Sequence, residues 1–121
     1  MNPEDENLPE DYGQAEIIDL EAIMAPHSEP WYNLTLSRVN DSLVRLGVFD
    51  GEFHWHKHDL EDELFFVISG KLLLDLPDET IELLPDQAYT VPRTILHRTR
   101  AEERTVVLMV ESATVKARGD K

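Results

Sequence analysis

From Trp31 to Glu111 the chain is punctuated by turn-forming pairs so closely spaced that no long helix fits between them. Asn40-Asp41, Asp50-Gly51, Ser69-Gly70, Pro77-Asp78 and Pro85-Asp86 are the punctuation. Asn, Asp and Gly tolerate the backbone angles of tight turns, and Pro presets one of them. The runs they bound are Trp31–Val39, Ser42–Phe49, Phe53–His58, Glu63–Ser69, Lys71–Leu76, Thr80–Leu84, Ala88–Pro92, His97–Arg100 and Arg104–Glu111. Short strands at roughly 8–12-residue spacing predict an all-β sandwich or barrel.

Composition supplies the boundaries. The first Lys or Arg is Arg38, whereas Glu4, Asp5, Glu6, Glu10, Asp11, Glu16, Asp19 and Glu21 crowd the beginning. Such a block cannot bury enough apolar surface to offset its ordering entropy, so residues 1–16 are expected to be a disordered acidic tail. Residues 17–112 are expected to form one barrel with an N-terminal arm, and residues 113–121 a frayed tail. The stretch Ile17–Ala25 has Ile17, Leu20 and Met24 near helical spacing and reads as a short helix or an extended arm, stopped by Pro26 and Pro30. The net charge of −14 disfavours both nucleic acid and anionic membrane as partners. There is no cysteine, so any metal must be held by nitrogen and oxygen. No apolar leader or membrane-length span is visible, and a cytoplasmic location is the default expectation.

The segment Phe53-His-Trp-His-Lys-His58 holds three of the five histidines. On a regular strand alternate side chains share a face, so His54, His56 and His58 would point one way and Trp55 and Lys57 the other. Trp55 then packs on the outer layer or on a partner. Imidazoles with a carboxylate suit divalent Mn, Fe, Co, Ni, Cu or Zn. If the next strand runs back alongside, Glu63 lies across from the histidines, while Asp59, Glu61 and Asp62 read as solvated loop charges. If His97 faces inward, Thr99 shares its parity and is a pocket-lining candidate, with Arg98 and Arg100 outward. Tyr89 is a third pocket-lining candidate beside His54 and Thr99.

These residues resemble the first motif of the cupin superfamily, whose members are double-stranded β-helix, or jelly-roll, barrels. His56-Lys-His58, four residues, Glu63, six residues and Gly70 match it, although Gly51 stands one residue too close. The alternative register of His54, His56 and Glu61 needs a glycine after six residues and meets one after eight. The second motif resembles residues 86–101, with Pro92 and His97 in place. Asp86 and Thr94 stand where glycines are usual, and Ala101 where asparagine is usual. A β-branched residue resists the left-handed region, so Thr94 predicts a turn without positive φ. The resemblance implies a metal site of His56, His58, Glu63 and His97. Its texture is also similar to small bacterial cupins labelled mannose-6-phosphate-isomerase-like, a label of fold rather than activity.

Four ligands leave coordination positions open, which implies a metal-dependent enzyme acting on a small oxygenated metabolite, as isomerase, hydrolase or dioxygenase. The alternative is a non-catalytic module that binds or senses a small ligand; a metal-free barrel is the third reading. His54 is the candidate catalytic residue, as a proton-transfer group, an alternative ligand or a hydrogen-bonding partner of one. The motif strands offer no inward Lys or Arg, which disfavours a phosphorylated ligand. Leu64, Phe66, Ile68, Leu73 and the Val106–Val110 run offer more apolar surface than one thin barrel covers, so a homodimer is expected.

Overall fold

A computed structural model of the chain describes residues 8–114 and 119. One short helix, α1 (Leu20–Met24), precedes seven strands: β1 (Tyr32–Val39), β2 (Ser42–Glu52), β3 (Glu63–Ser69), β4 (Leu72–Asp75), β5 (Thr80–Leu83), β6 (Ala88–Val91) and β7 (Arg98–Ser112). All pairings are antiparallel, in the order β1-β2-β7-β3-β6, with β4 joining β5 to β7. The 15-residue β7 is the spine. β2 runs along one side of it, and β3 and then β4 along the other, which curls the sheet around a core. This is the all-β architecture that the turn spacing predicts, in the jelly-roll form that the cupin resemblance implies.

Two expected boundaries move. Asp50-Gly51 is not a turn: β2 continues to Glu52, and at the register shift between Phe49 and Gly51 the facing β7 carries two more residues than β2 and bulges. His97–Arg100 and Arg104–Glu111 are not separate runs: β7 is one strand, Arg98–Ser112, and His97 lies just before it. The glycine at the end of β3 is required by the backbone. Gly70 has φ +87°, and a Cβ there would come 2.4 Å from Thr105 Oγ1.

The sheet is apolar on both faces, for different reasons. Phe49, Phe65, Val67, Leu72, Leu74 and Val107 belong to the core inside the barrel. On the outer face Tyr32, Leu36, Leu46, Val48 and Val106 are covered by Leu20, Ile23 and Met24 of α1. The helix is begun by Asp19, whose Oδ1 accepts from the Ala22 N–H. Upstream of the helix, the Arg38 N–H donates to Tyr12 O at 2.9 Å and the Gln14 amide donates to Arg38 O at 2.8 Å, so part of the acidic segment lies against β1. Residues 1–7 and most of the C-terminal tail lie outside the described residues.

The surplus apolar surface is smaller than the sequence implies. Leu73, Val106, Val107 and Met109 are buried, and Ile68 and Leu108 pack into the cluster beneath α1. Leu64, Phe66 and Val110 remain partly exposed on the outer face. Among the described residues no helix is long and apolar enough to cross a membrane.

Candidate metal centre

Past Glu52 the chain leaves the regular ladder. Only the Phe53 N–H to Thr99 O bond and a reciprocal pair between His56 and His97 hold residues 53–58 against β7 and the residue before it. Strict alternation is therefore lost at the start of the segment. His54 is exposed, its ring tilted against Phe53 with centroids 4.2 Å apart, and it does not line the barrel cavity. This corrects its placement as a pocket-lining residue, while its ring stands 5.2 Å from that of His56. What His54 supplies to the site is its carbonyl, which accepts from His56 Nδ1 at 2.9 Å. Alternation survives between His56 and His58, and both are buried.

His56, His58, Glu63 and His97 each place one donor atom so that all four atoms lie within 4.8 Å of one another. Two loops are clamped together to achieve this. The Thr94 N–H donates to His58 O at 2.7 Å, and Asp62 accepts from the Arg93 backbone N–H at 2.8 Å and from its guanidinium. Thr94 has φ +73° and Asp86 φ +72°. The expectation that Thr94 avoids the left-handed region is thus wrong. Its hydrogen bond to His58 holds a conformation that costs a β-branched residue about 1–2 kcal/mol, beside the site.

Ring hydrogen bonds set the tautomers. A carbonyl only accepts, so His56 Nδ1 donates to His54 O and His97 Nδ1 donates to Ile95 O, both at 2.9 Å. In each neutral ring Nε2 then carries a lone pair. Burial, the largest influence, lowers the His56 pKa from 6.5 to about 4 and keeps that ring neutral near pH 7. His97 Nε2 lies 3.3 Å and His58 Nε2 3.7 Å from Glu63 Oε1. A lone pair facing a carboxylate at that distance needs a cation, either a proton on Nε2 or a metal ion. Both ring nitrogens of His58 are buried without a hydrogen-bond partner among the described residues. An N₃O donor set with an orphaned buried imidazole fits a divalent transition ion.

Sequence reasoning misses the groups behind the cluster. Glu111 on β7 is the register partner of Glu63 on β3, and the two carboxyls are hydrogen-bonded. Burial pulls the Glu63 pKa upward, but hydrogen bonds to His97 and Glu111 and the charges of His58 and His97 outweigh it and bring it to about 2. Glu111 goes the other way. Burial first, then the hydrogen bond and charge of Glu63, push it well above the usual carboxylate range. The proton the pair shares therefore rests on Glu111. Arg45 Nε stands 3.6 Å from Glu111 Oε1, with both side chains almost wholly buried. Glu61, read as a solvated loop charge, is buried as well, and its Oε2 accepts from Thr114 Oγ1 at 2.7 Å.

The cavity above the cluster measures about 30 Å³ and is bounded by Trp31, Phe49, Phe53 and Phe65, with Asn33, Thr99 and Glu111 as its other polar walls. Thr99 is where the parity of His97 places it. Tyr89 is not in the wall but packs partly buried against the core, which corrects the third pocket-lining expectation. Trp55 lies outside, with the Arg98 guanidinium 5.3 Å above its ring. Arg98 and Arg100 both donate to Asp75 Oδ2 at 2.7 Å and are outward, as expected.

The sequence profile described as "Cupin domain" matches residues 43–111, from β2 through the penultimate residue of β7. The chain belongs to the cupin family. A relative in Bacillus subtilis (strain 168), "Uncharacterized protein YdbB", is 46% identical over 94 residues, 77% of this cupin and 83% of that protein. A cupin-2 domain containing protein from Shewanella frigidimarina NCIMB 400 superposes with a TM-score of 0.75 at 27% identity, covering 79% of this chain and 94% of that one. KdgF from Halomonas sp. superposes with a TM-score of 0.64 over 73% of this chain and 84% of its own, and at 22% identity that is a likeness of fold alone. The matched stretch of the cupin profile contains all four residues of the cluster.

Proposed function

We propose that this cupin binds one divalent transition ion through His56, His58, Glu63 and His97 and acts as a metal-dependent enzyme on a small oxygenated metabolite. The observation that carries the reading is His58, whose two buried ring nitrogens have no hydrogen-bond partner among the described residues while its Nε2 faces the same Glu63 oxygen as His97. A bound ion would meet the stranded nitrogen and separate the facing acceptors. When bound it supplies Lewis acidity, and four protein ligands leave one or two positions of a five- or six-coordinate ion for a ligand oxygen. The protein's part is to hold Nε2 of His56 and His97 in the ligating tautomer through the His54 and Ile95 carbonyls, and to limit bulk water in the cavity with the Trp31, Phe49 and Phe53 wall.

Metal content is the direct test. Untagged protein is expected to carry about one equivalent of a first-row divalent ion by mass spectrometry, and the His56→Ala/His58→Ala variant little. Equal content in both would refute the assignment, as would no uptake by the parent after exposure to Mn, Fe, Ni and Zn.

The chain is also proposed to form a homodimer across the outer sheet face where Leu64, Phe66 and Val110 remain partly exposed, beside the patch α1 already covers. Light scattering should give twice 13.9 kDa, the mass of one chain. A monomer at every concentration tested would exclude it.

A further inference from the structure

The chemistry of the cavity walls narrows the ligand. Trp31 stacks on Phe49 with centroids 4.4 Å apart and on Phe53 at 5.6 Å, at interplanar angles of 20° and 9°. These three rings form a flat apolar wall. Asn33, two residues along the same inward face of β1, also lines the cavity, and its Oδ1 is buried without a hydrogen-bond partner among the described residues. A buried amide oxygen left in that condition costs about 1–3 kcal/mol until a donor meets it. The titratable walls are His56, Glu63 and Glu111; among the described residues no Lys or Arg lines the cavity, and the buried Arg45 is turned to Glu111. A phosphate or sulfate group would meet the carboxyls of Glu63 and Glu111 with no Lys or Arg among the described residues to offset them. The cavity is half open to solvent and its 30 Å³ holds about two waters, so it takes in only part of a small molecule.

We propose that the ligand is a small, uncharged, hydroxyl-bearing molecule that lays its C–H face on the Trp31 wall and donates one hydroxyl to Asn33 Oδ1. Asn33 is the residue that selects for the hydroxyl. The inference rests on the metal reading for the ligand's other anchor, an oxygen directed at the cluster, whereas the part played by Asn33 does not need the ion. A site that offers a buried acceptor rejects analogues lacking the donor far better than an apolar pocket rejects an added group.

Three compounds on one three-carbon skeleton separate the contributions: dihydroxyacetone, acetone without the hydroxyls, and dihydroxyacetone phosphate with added charge. In a Trp55→Phe background Trp31 is the sole tryptophan, and its fluorescence reports occupancy with and without added Zn(II). Dihydroxyacetone is expected to quench saturably at concentrations roughly tenfold or more below those of the other two. Asn33→Leu should erase that preference while equilibrium dialysis finds Zn(II) affinity within about twofold of the parent, because Asn33 is not among the ligands. Equal quenching by acetone or by the phosphate ester, no saturable quenching by dihydroxyacetone, or an unchanged preference in folded Asn33→Leu overturns the proposal. The comparison of compounds on the parent stands even if the variant does not fold. Should the parent hold no zinc, the metal reading fails on its own, and the preference for dihydroxyacetone over acetone read without zinc still decides the role of Asn33.

Discussion

Replacing Arg45 with Met should destabilise the protein by about 3–5 kcal/mol, although Met preserves most of the buried hydrocarbon. Three buried carboxyls meet at the metal centre, Glu63 within the cluster and Glu61 and Glu111 outside it, and Arg45 is the one buried Lys or Arg among the described residues. It is 1% exposed, and its Nε lies 3.6 Å from Glu111 Oε1. Its charge opposes the rise in the Glu111 pKa that burial and Glu63 produce. Without it a carboxyl pair sharing one proton stays buried with its negative charge uncompensated. Urea unfolding of the metal-free protein measures the loss, and a value below about 1 kcal/mol would contradict this account. The Arg45→Met/Glu111→Leu double variant should regain much of the stability, since apolar replacement of a whole buried pair is often neutral or better. Its metal affinity should nevertheless fall about 10–100-fold, because Glu63 loses the hydrogen bond that orients it. Stability and affinity moving in opposite directions would separate the electrostatic role of Arg45 from the orienting role of Glu111.

What was legible in the sequence follows from how local the determinants are. His56, His58, Glu63 and His97 are set by spacing, because alternation fixes the parity of neighbouring residues and a short connection brings β3 back alongside. His54 fails the same logic, since alternation holds only while the ladder holds, and the chain leaves the ladder after Glu52. Glu111 and Arg45 face each other through register pairs that no local pattern reveals: Glu63 with Glu111, and Leu43 with Glu111 two pairs from Arg45. A charge at an inward parity, as Arg45 has between Leu43 and Gly47, was the available signal. Both faces of β2 are covered, one by the barrel core and one by α1, and that obscured which face was inward. Thr94 was misjudged because propensity was weighed without the tertiary hydrogen bond to His58 that overrides it. Glu61 was read as solvated because Thr114, its partner, lies 53 residues away.

Between pH 6.5 and about 4 the metal-free protein should lose roughly 3 kcal/mol of stability through His56 alone. The sign follows from the direction of the shift. A folded-state pKa depressed below the unfolded value means that the unfolded chain binds the proton first, so stability is full above about 6.5 and drains as pH falls towards the folded value. Asp75 acts in a separate window. Hydrogen bonding to Arg100, foremost, and then to Thr80 and Arg98 outweighs burial and holds its carboxyl well below the usual 3.8, so its contribution is lost only below that pH. Denaturant titrations at closely spaced pH values should resolve two descending steps; His56→Gln should flatten the upper one and Asp75→Asn the lower. Zn(II) at about a thousand times its dissociation constant should add about 4 kcal/mol near pH 7. That increment should vanish across the upper window, because each imidazole that takes a proton ceases to be a ligand. A stability curve flat from pH 7 to 4.5, with or without zinc, would contradict both the buried neutral state of His56 and its place in the cluster. An upper step that survives unchanged in folded His56→Gln would remove His56 as its source.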